Sequence, residues 1–107
     1  MYILGGNGRM GRKCVELTNL DGTTSKAIQV NEKADLLFER IFHSVCLVDS
    51  DTIVVTGGFG KSESKCELYS RRKNKWVQLP DLYIGRKSHA SCSFNRRYVY
   101  VFRGVYN

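Results

Sequence analysis

The chain has 107 residues, 42% of them hydrophobic and 25% charged, with a formal net charge of +7. That length suits one domain of roughly 100–150 residues, and the composition is ordinary for a globular protein. No run of about 18 apolar residues exists to span a bilayer, and MYILGG lacks the basic and long apolar regions of a secretory signal, so a cytoplasmic chain, or a segment of a longer one, is expected.

Helical periodicity is nearly absent. Short β-rich runs alternate with turn clusters at close spacing, which predicts an all-β sandwich, barrel or propeller. In chain order, strands are predicted at Tyr2–Leu4, Lys13–Thr18, Lys26–Val30, His43–Val48, Thr52–Thr56, Lys65–Tyr69, Lys75–Gln78, His89–Phe94 and Tyr98–Phe102. The Asp-Gly step in Asn19-Leu20-Asp21-Gly22 tolerates positive φ, and Asp49-Ser50-Asp51 and Asn95-Arg96-Arg97 suit hairpin connections. Asn31–Arg40 reads as a connecting loop with one helical turn, because Leu36, Leu37 and Arg40 share a side. Gly5-Gly6 and Gly57-Gly58 each end an apolar run, as a turn needing positive φ requires. A phosphate-binding reading of these glycines is disfavoured, since no helix follows to present its N–H groups.

The chain repeats itself. Shifted by 46 positions, Arg40 falls on Arg86, His43 on His89, Cys46 on Cys92 and Gly58 on Gly104. Shifted by 52, Gly5-Gly6 falls on Gly57-Gly58 and Lys13-Cys14 on Lys65-Cys66. A period of about 40–50 residues marks stacked architectures, in which no unit buries its own apolar face alone. The four cysteines form no metal-binding spacing and fall on equivalent positions in pairs, so buried thiols are expected, with no metal and no cofactor. Residues 1–50 carry six Lys/Arg against six Asp/Glu, so the whole positive excess lies in residues 51–107. That asymmetry fits an acidic partner or simply a solvated face.

The most complete unit runs Arg40-x-x-His43, the apolar TIVVTGG of 52–58, Cys66-Glu67-Leu68-Tyr69, then Lys75-Trp76-Val77-Gln78-Leu79-Pro80, and the next opens with Arg86-x-x-His89. This order resembles the kelch repeat. The resemblance implies four-stranded antiparallel blades of a β-propeller, with a partial blade at 1–35, a complete one at 36–85 and the start of another at 86–107. Strands number three, four and two in these units, too few to close a ring. A segment of a larger closed propeller, or a chain that self-associates, is therefore expected. The resemblance also implies that Trp76 and Tyr69 supply most of the inter-blade contact, and that His43 and His89 make structural hydrogen bonds. The first unit departs from the pattern: Ala27 or Ile28 stands in place of Trp76, and Asn31 in place of Pro80. In the last, Arg103-Gly104 replaces the double glycine.

A non-catalytic protein–protein interaction module, a scaffold or adaptor surface, is what the resemblance implies; the alternative is part of a propeller enzyme such as a copper-dependent sugar oxidase. If successive strands alternate in direction, the inter-blade loops share a face with the double-glycine loops. That face would offer Ile41, Phe42, Lys87 and Ser88 beside Phe59, Gly60, Lys61 and Ser62 as the partner site, unless Phe42 and Phe59 pack inward. The opposite face would gather Arg71, Arg72, Lys73, Lys75, Arg96 and Arg97 into a basic patch. Without interleaved aromatics that patch suits an acidic protein surface better than nucleic acid.

Overall fold

Tyr, Val, Ile and Thr at alternating positions favour a pleated, half-buried backbone, and among the described residues nine strands form where the apolar runs stand. The computed structural model describes residues 2–6, 11–19 and 28–104. The strands are β1 (Tyr2–Leu4), β2 (Cys14–Asn19), β3 (Ile28–Glu32), β4 (Ser44–Leu47), β5 (Thr52–Thr56), β6 (Cys66–Ser70), β7 (Lys75–Leu79), β8 (Ala90–Phe94) and β9 (Tyr98–Phe102). They build three antiparallel meanders, β1-β2-β3, β4-β5-β6-β7 and β8-β9. The middle sheet is a four-stranded antiparallel meander, the form of one propeller blade. The first strands of the second and third sheets lie side by side: the Ser44 and Ser91 hydroxyls are 2.7 Å apart, and Ser93 Oγ donates to the Leu47 carbonyl at 3.0 Å. The Asp21-Gly22 turn and the first two residues of the expected Lys26–Val30 strand lie outside the described residues. No helix among the described residues is long and apolar enough to cross a membrane.

The core lies between the first two sheets. Leu4, Cys14 and Leu36 meet Ile53, Val55, Tyr69 and Trp76, with Tyr2 and Ala34 packed against them. Tyr69 and Trp76 do supply the bulk, their ring centroids 4.8 Å apart. Trp76 Nε1 donates to the Ala34 carbonyl at 2.9 Å, so its one polar atom is satisfied where it is buried. Cys46 and Cys66 are buried thiols and Cys14 is equally buried; the Cys92 side chain lies outside the described residues.

Register corrects the alignment of the first unit. Tyr69 pairs with Trp76, and its equivalent Leu17 pairs with Val30, so Val30, not Ala27 or Ile28, holds the Trp76 position. Ala34, not Asn31, then takes the place of Pro80. The cause is a longer connection: twelve residues separate Leu17 from Val30, against six between Tyr69 and Trp76. A repeat aligned by a fixed shift slips wherever one hairpin is longer.

The segment expected to hold a helical turn holds none. β3 continues to Glu32, and the rest of the connection is an irregular loop up to β4. Its backbone is instead tied to the Gly11-Arg12 turn, Leu36 N–H donating to the Arg12 carbonyl and Arg40 N–H to that of Gly11, each at 2.8 Å. Leu36 is buried and Leu37 exposed, so the two do not share a face. A short 3₁₀ turn does occur at Gly60–Ser62, where no helix was expected.

Candidate functional site

The loops of one face are fixed by a clamp used twice over. Gly5 and Gly57 have φ of 68° and 65°. Each donates back across its hairpin, to Lys13 and Lys65 respectively, and the next glycine donates to the carbonyl of Arg40 or Arg86. A Cβ at Gly5 would collide with the Arg40 carbonyl and the His43 ring, and one at Gly57 with the Arg86 carbonyl and the His89 ring. This close approach, together with the backbone twist, is why the Arg-x-x-His and double-glycine motifs occur together. Arg103 occupies the corresponding place in the third sheet with φ of 55°, so the turn is kept despite its side chain.

Arg40 completes the clamp from inside. It is buried, its Nε donates to Glu67 Oε2 at 2.8 Å, and its Nη1 donates to the carbonyls of Gly57 at 2.5 Å and Lys65 at 2.8 Å. Glu67 Oε1 in turn accepts the Leu37 N–H at 2.5 Å. Arg86 makes the matching bond one unit on, Nη1 donating to the Arg103 carbonyl at 3.0 Å.

Both histidine rings sit against the double-glycine turns, His43 beside Gly5 and His89 beside Gly57. Thr56 Oγ1 and His89 Nε2 are 2.8 Å apart. Burial, and next the positive Arg86, hold the His89 imidazole below its ordinary pKa of 6.5; burial and Arg40 do the same to His43. An unfolded histidine therefore takes up protons at a pH where the folded one does not, and stability rises with pH in that window. This contribution is fully present above about pH 6.5 and is lost as pH falls through the lowered folded values. The melting temperature is accordingly expected to drop between pH 7.5 and pH 5, and the slope to flatten in a His43→Gln/His89→Gln variant. Asp49 cannot imitate this, because its carboxyl, held low by the Asp51 and Thr52 hydrogen bonds, titrates below 3.8.

On this clamp sit Ile41, Phe42, Phe59, Lys61, Lys87 and Ser88 of the eight residues expected at the partner face; the other two, Gly60 and Ser62, bound the 3₁₀ turn, and Ser62 is buried. The Ile41 carbonyl accepts the Phe59 N–H at 2.9 Å, and the Phe42 carbonyl accepts the Ser88 N–H at 2.7 Å. Lys87 Nζ lies 4.5 Å from the Phe59 ring centroid, a cation–π contact. Neither phenylalanine packs inward: Phe42 is 55% and Phe59 52% exposed. Lys61 joins Phe59 on the wall of a hollow of about 330 Å³, whose other walls are Arg12, Leu37, Phe38 and Glu39. These last four were not anticipated. Phe38-Glu39 stood inside the segment read as partly helical, which hid that the loop turns both toward the same face as Phe59. The Phe38 ring also carries cations on it, with Lys65 Nζ and Arg40 Cζ each 5.9 Å from its centroid.

At the other end of the strands, Arg71, Arg72, Lys73 and Lys75 are exposed around the β6–β7 turn, and Arg96 and Arg97 around the β8–β9 turn. The acidic β4–β5 turn reaches both. Asp51 accepts the Arg72 N–H on Oδ1 at 2.7 Å and Ser70 Oγ on Oδ2 at 3.0 Å, while the Arg96 charge helps hold Asp49 ionised. The acidic turn thus lies beside both basic turns. Among the described residues no group of three or more His, Cys, Asp and Glu side chains is placed to hold a metal ion.

Comparison with known proteins matches this geometry. The family model described as the kelch motif matches residues 40–83, so the kelch resemblance holds for the complete blade. The solved structure titled "Structure of YjhT" is similar, with a TM-score of 0.73 and 24% identity over 94% of this chain and 30% of that one. At that identity the likeness is one of fold, and this chain spans under a third of that structure's length. A search of curated proteins gives no match.

Proposed function

We propose that this kelch-repeat chain is a non-catalytic protein-interaction module, a scaffold or adaptor surface acting through its loop face. The observation that carries the reading is the pair of half-exposed rings, Phe42 and Phe59, held on a rigid hydrogen-bonded base with Lys87 and Lys61 beside them. Exposed aromatics next to cations, on loops fixed by buried structure, have the make-up of a binding hot spot. Their exposure brings no stability that would otherwise explain them. The buried Cys46 and Cys66 thiols carry no disulfide, which fits a cytoplasmic setting. The expected partner is a protein segment offering apolar side chains and carboxylates.

The test is to select peptides from a random library on the immobilised chain and then measure their affinity for variants. Phe42→Ala, Phe59→Ala and Lys87→Ala are each expected to weaken binding by roughly fivefold or more, about 1 kcal/mol, a loss that only a minority of interface side chains cause. Because the two rings are exposed and Lys87 is only partly buried, the unfolding free energy should stay within about 0.5 kcal/mol of the parent. Peptides that bind all three variants as well as the parent would place the interaction elsewhere. A loss of stability with unchanged binding would make these residues structural.

A further inference from the structure

The turns at the ends of the strands opposite the loop face hold a fixed arrangement of charge. Arg71 N–H donates to the Asp51 carbonyl at 2.7 Å, so the β6–β7 turn is bonded to the β4–β5 turn. Ser93 Oγ donates to the Leu47 carbonyl at 3.0 Å, which brings the β8–β9 turn up on the β4 side of the same acidic turn. The carboxylates in the middle are taken up by the turns themselves. Asp49 Oδ1 accepts the N–H groups of Asp51 at 2.9 Å and Thr52 at 2.8 Å, and Asp51 accepts those of Arg72 N–H and Ser70 Oγ. Arg72, Lys73, Lys75, Arg96 and Arg97 are all exposed and, among the described residues, form no ion pair. Arg96 adds an observation of another kind. Asn95 and Arg96 have φ of 54° and 56°. Asn tolerates that region, but a long side chain is disfavoured there by roughly 1–2 kcal/mol, and Gly would fit without that cost. Arg96 is exposed, so packing does not offset it. A disfavoured backbone conformation kept at an exposed turn points to a use for the side chain.

We propose that these three turns form a second interaction surface, for an extended acidic protein segment whose carboxylates fall in two groups on either side of an uncharged stretch. The two basic turns attract the two groups. The uncharged stretch is required by what lies between them, because Asp49 and Asp51 repel any negative charge that passes over. That requirement separates a protein segment from other polyanions. A nucleic-acid strand carries a phosphate on every nucleotide, and an anionic bilayer is a continuous charged surface, so neither can omit its charge at the acidic turn. A polypeptide can. Neighbouring hairpins of one sheet lie about 10 Å apart, two strand spacings, a distance that about three extended residues cover, so a short uncharged stretch is enough.

The test measures fluorescence anisotropy of dye-labelled probes on the whole chain. The matched probe is a synthetic peptide of two glutamate blocks joined by Gly-Ser-Gly. The comparison probes are an unbroken polyglutamate of the same length and a single-stranded DNA of similar charge. The interrupted peptide is expected to bind best, roughly threefold or more tighter than the unbroken one, and to lose about tenfold in affinity between about 50 and 200 mM salt. Arg96→Gly keeps the turn, since glycine adopts its φ freely, and should weaken the interrupted peptide by roughly threefold, the effect of one exposed ion pair. Arg72→Ser/Arg96→Gly should lose roughly tenfold. Asp49→Asn retains an acceptor for the turn N–H groups but removes the charge, and should bring the unbroken peptide up to the interrupted one. Equal or tighter binding of the unbroken peptide or of the DNA to the parent chain would overturn the proposal. So would an interrupted peptide that shows no saturable binding at low salt, or one that Arg96→Gly leaves unaffected. No arm involves Phe42, Phe59 or Lys87, so the outcome does not depend on the loop-face reading.

Discussion

Glu67→Ala is expected to lower the unfolding free energy by about 3–5 kcal/mol, the usual cost of stripping one partner from a buried ion pair. Glu67 and Arg40 are 0% and 1% exposed and 2.8 Å apart. Removing the carboxylate leaves a guanidinium inside the protein with carbonyl partners but no counter-charge, and it also frees the Leu37 N–H. Arg40→Ala is expected to be as damaging for a different reason. It leaves the carboxylate buried and takes away the donors to Gly57 and Lys65 that brace the double-glycine loop. The decisive comparison is Arg40→Met/Glu67→Leu, measured by urea denaturation with the singles. Apolar replacement of a whole buried pair is often neutral or stabilising, so the double variant should lose less than either single. If the double falls as far as the worse single, the pair is contributing net stability, and the two side chains are more than a matched desolvation cost. Because Arg40 also lies under Ile41 and Phe42 in sequence and bonds the loop that bears Phe59, the Glu67→Ala protein should bind its selected peptides more weakly in proportion to its unfolded fraction.

The strands were legible because they rest on local information. Thr52–Thr56 and Tyr98–Phe102 are bounded by turn residues and packed with β-branched or aromatic side chains, and both strands occur as read. The loop face was legible too, because strand alternation alone puts residues 41–42, 59–62 and 87–88 at one end. The Arg40–Glu67 pair was not, since its members are 27 residues apart in sequence. Arg40 was visible as a repeated position, but Val15 and not an acid stands at the place of Glu67 in the first unit, so the repeat gave no hint of the partner. The hollow beside Phe59 was hidden by the apparent helical side of Leu36, Leu37 and Arg40. Tertiary hydrogen bonds to the Gly11-Arg12 turn override that weak periodicity. The Val30 register was lost for a third reason, an unequal hairpin length, which a constant shift cannot represent.

Trp76→Ala is expected to be the most disruptive change to the apolar core, at about 3–5 kcal/mol. Trp76 fills the gap between the first two sheets with Tyr69, which in turn meets Tyr2 edge-on at 6.1 Å between ring centroids. Truncation opens a cavity that the flanking strands cannot close, since Tyr69 and Val55 are fixed in the β5–β6 ladder. It also strands the Ala34 carbonyl, the acceptor of the indole N–H. Trp76→Phe separates these effects, because it restores most of the ring volume but not the donor. The difference between Phe and Trp should then be about 1–3 kcal/mol, the cost of an unsatisfied buried group plus the smaller ring. The neighbouring Val77→Ala is the control: Val77 is 51% exposed, on the other side of the strand, and should change stability little. Circular dichroism is the suitable signal, because the variants remove the only tryptophan fluorophore. Ala34 begins the loop that leads to Ile41 and Phe42, so hydrogen exchange of residues 34–42 should quicken in Trp76→Phe even where the protein remains folded. Unchanged exchange there would mean that the Arg40 clamp alone positions the binding loop, and that the indole hydrogen bond serves only the core.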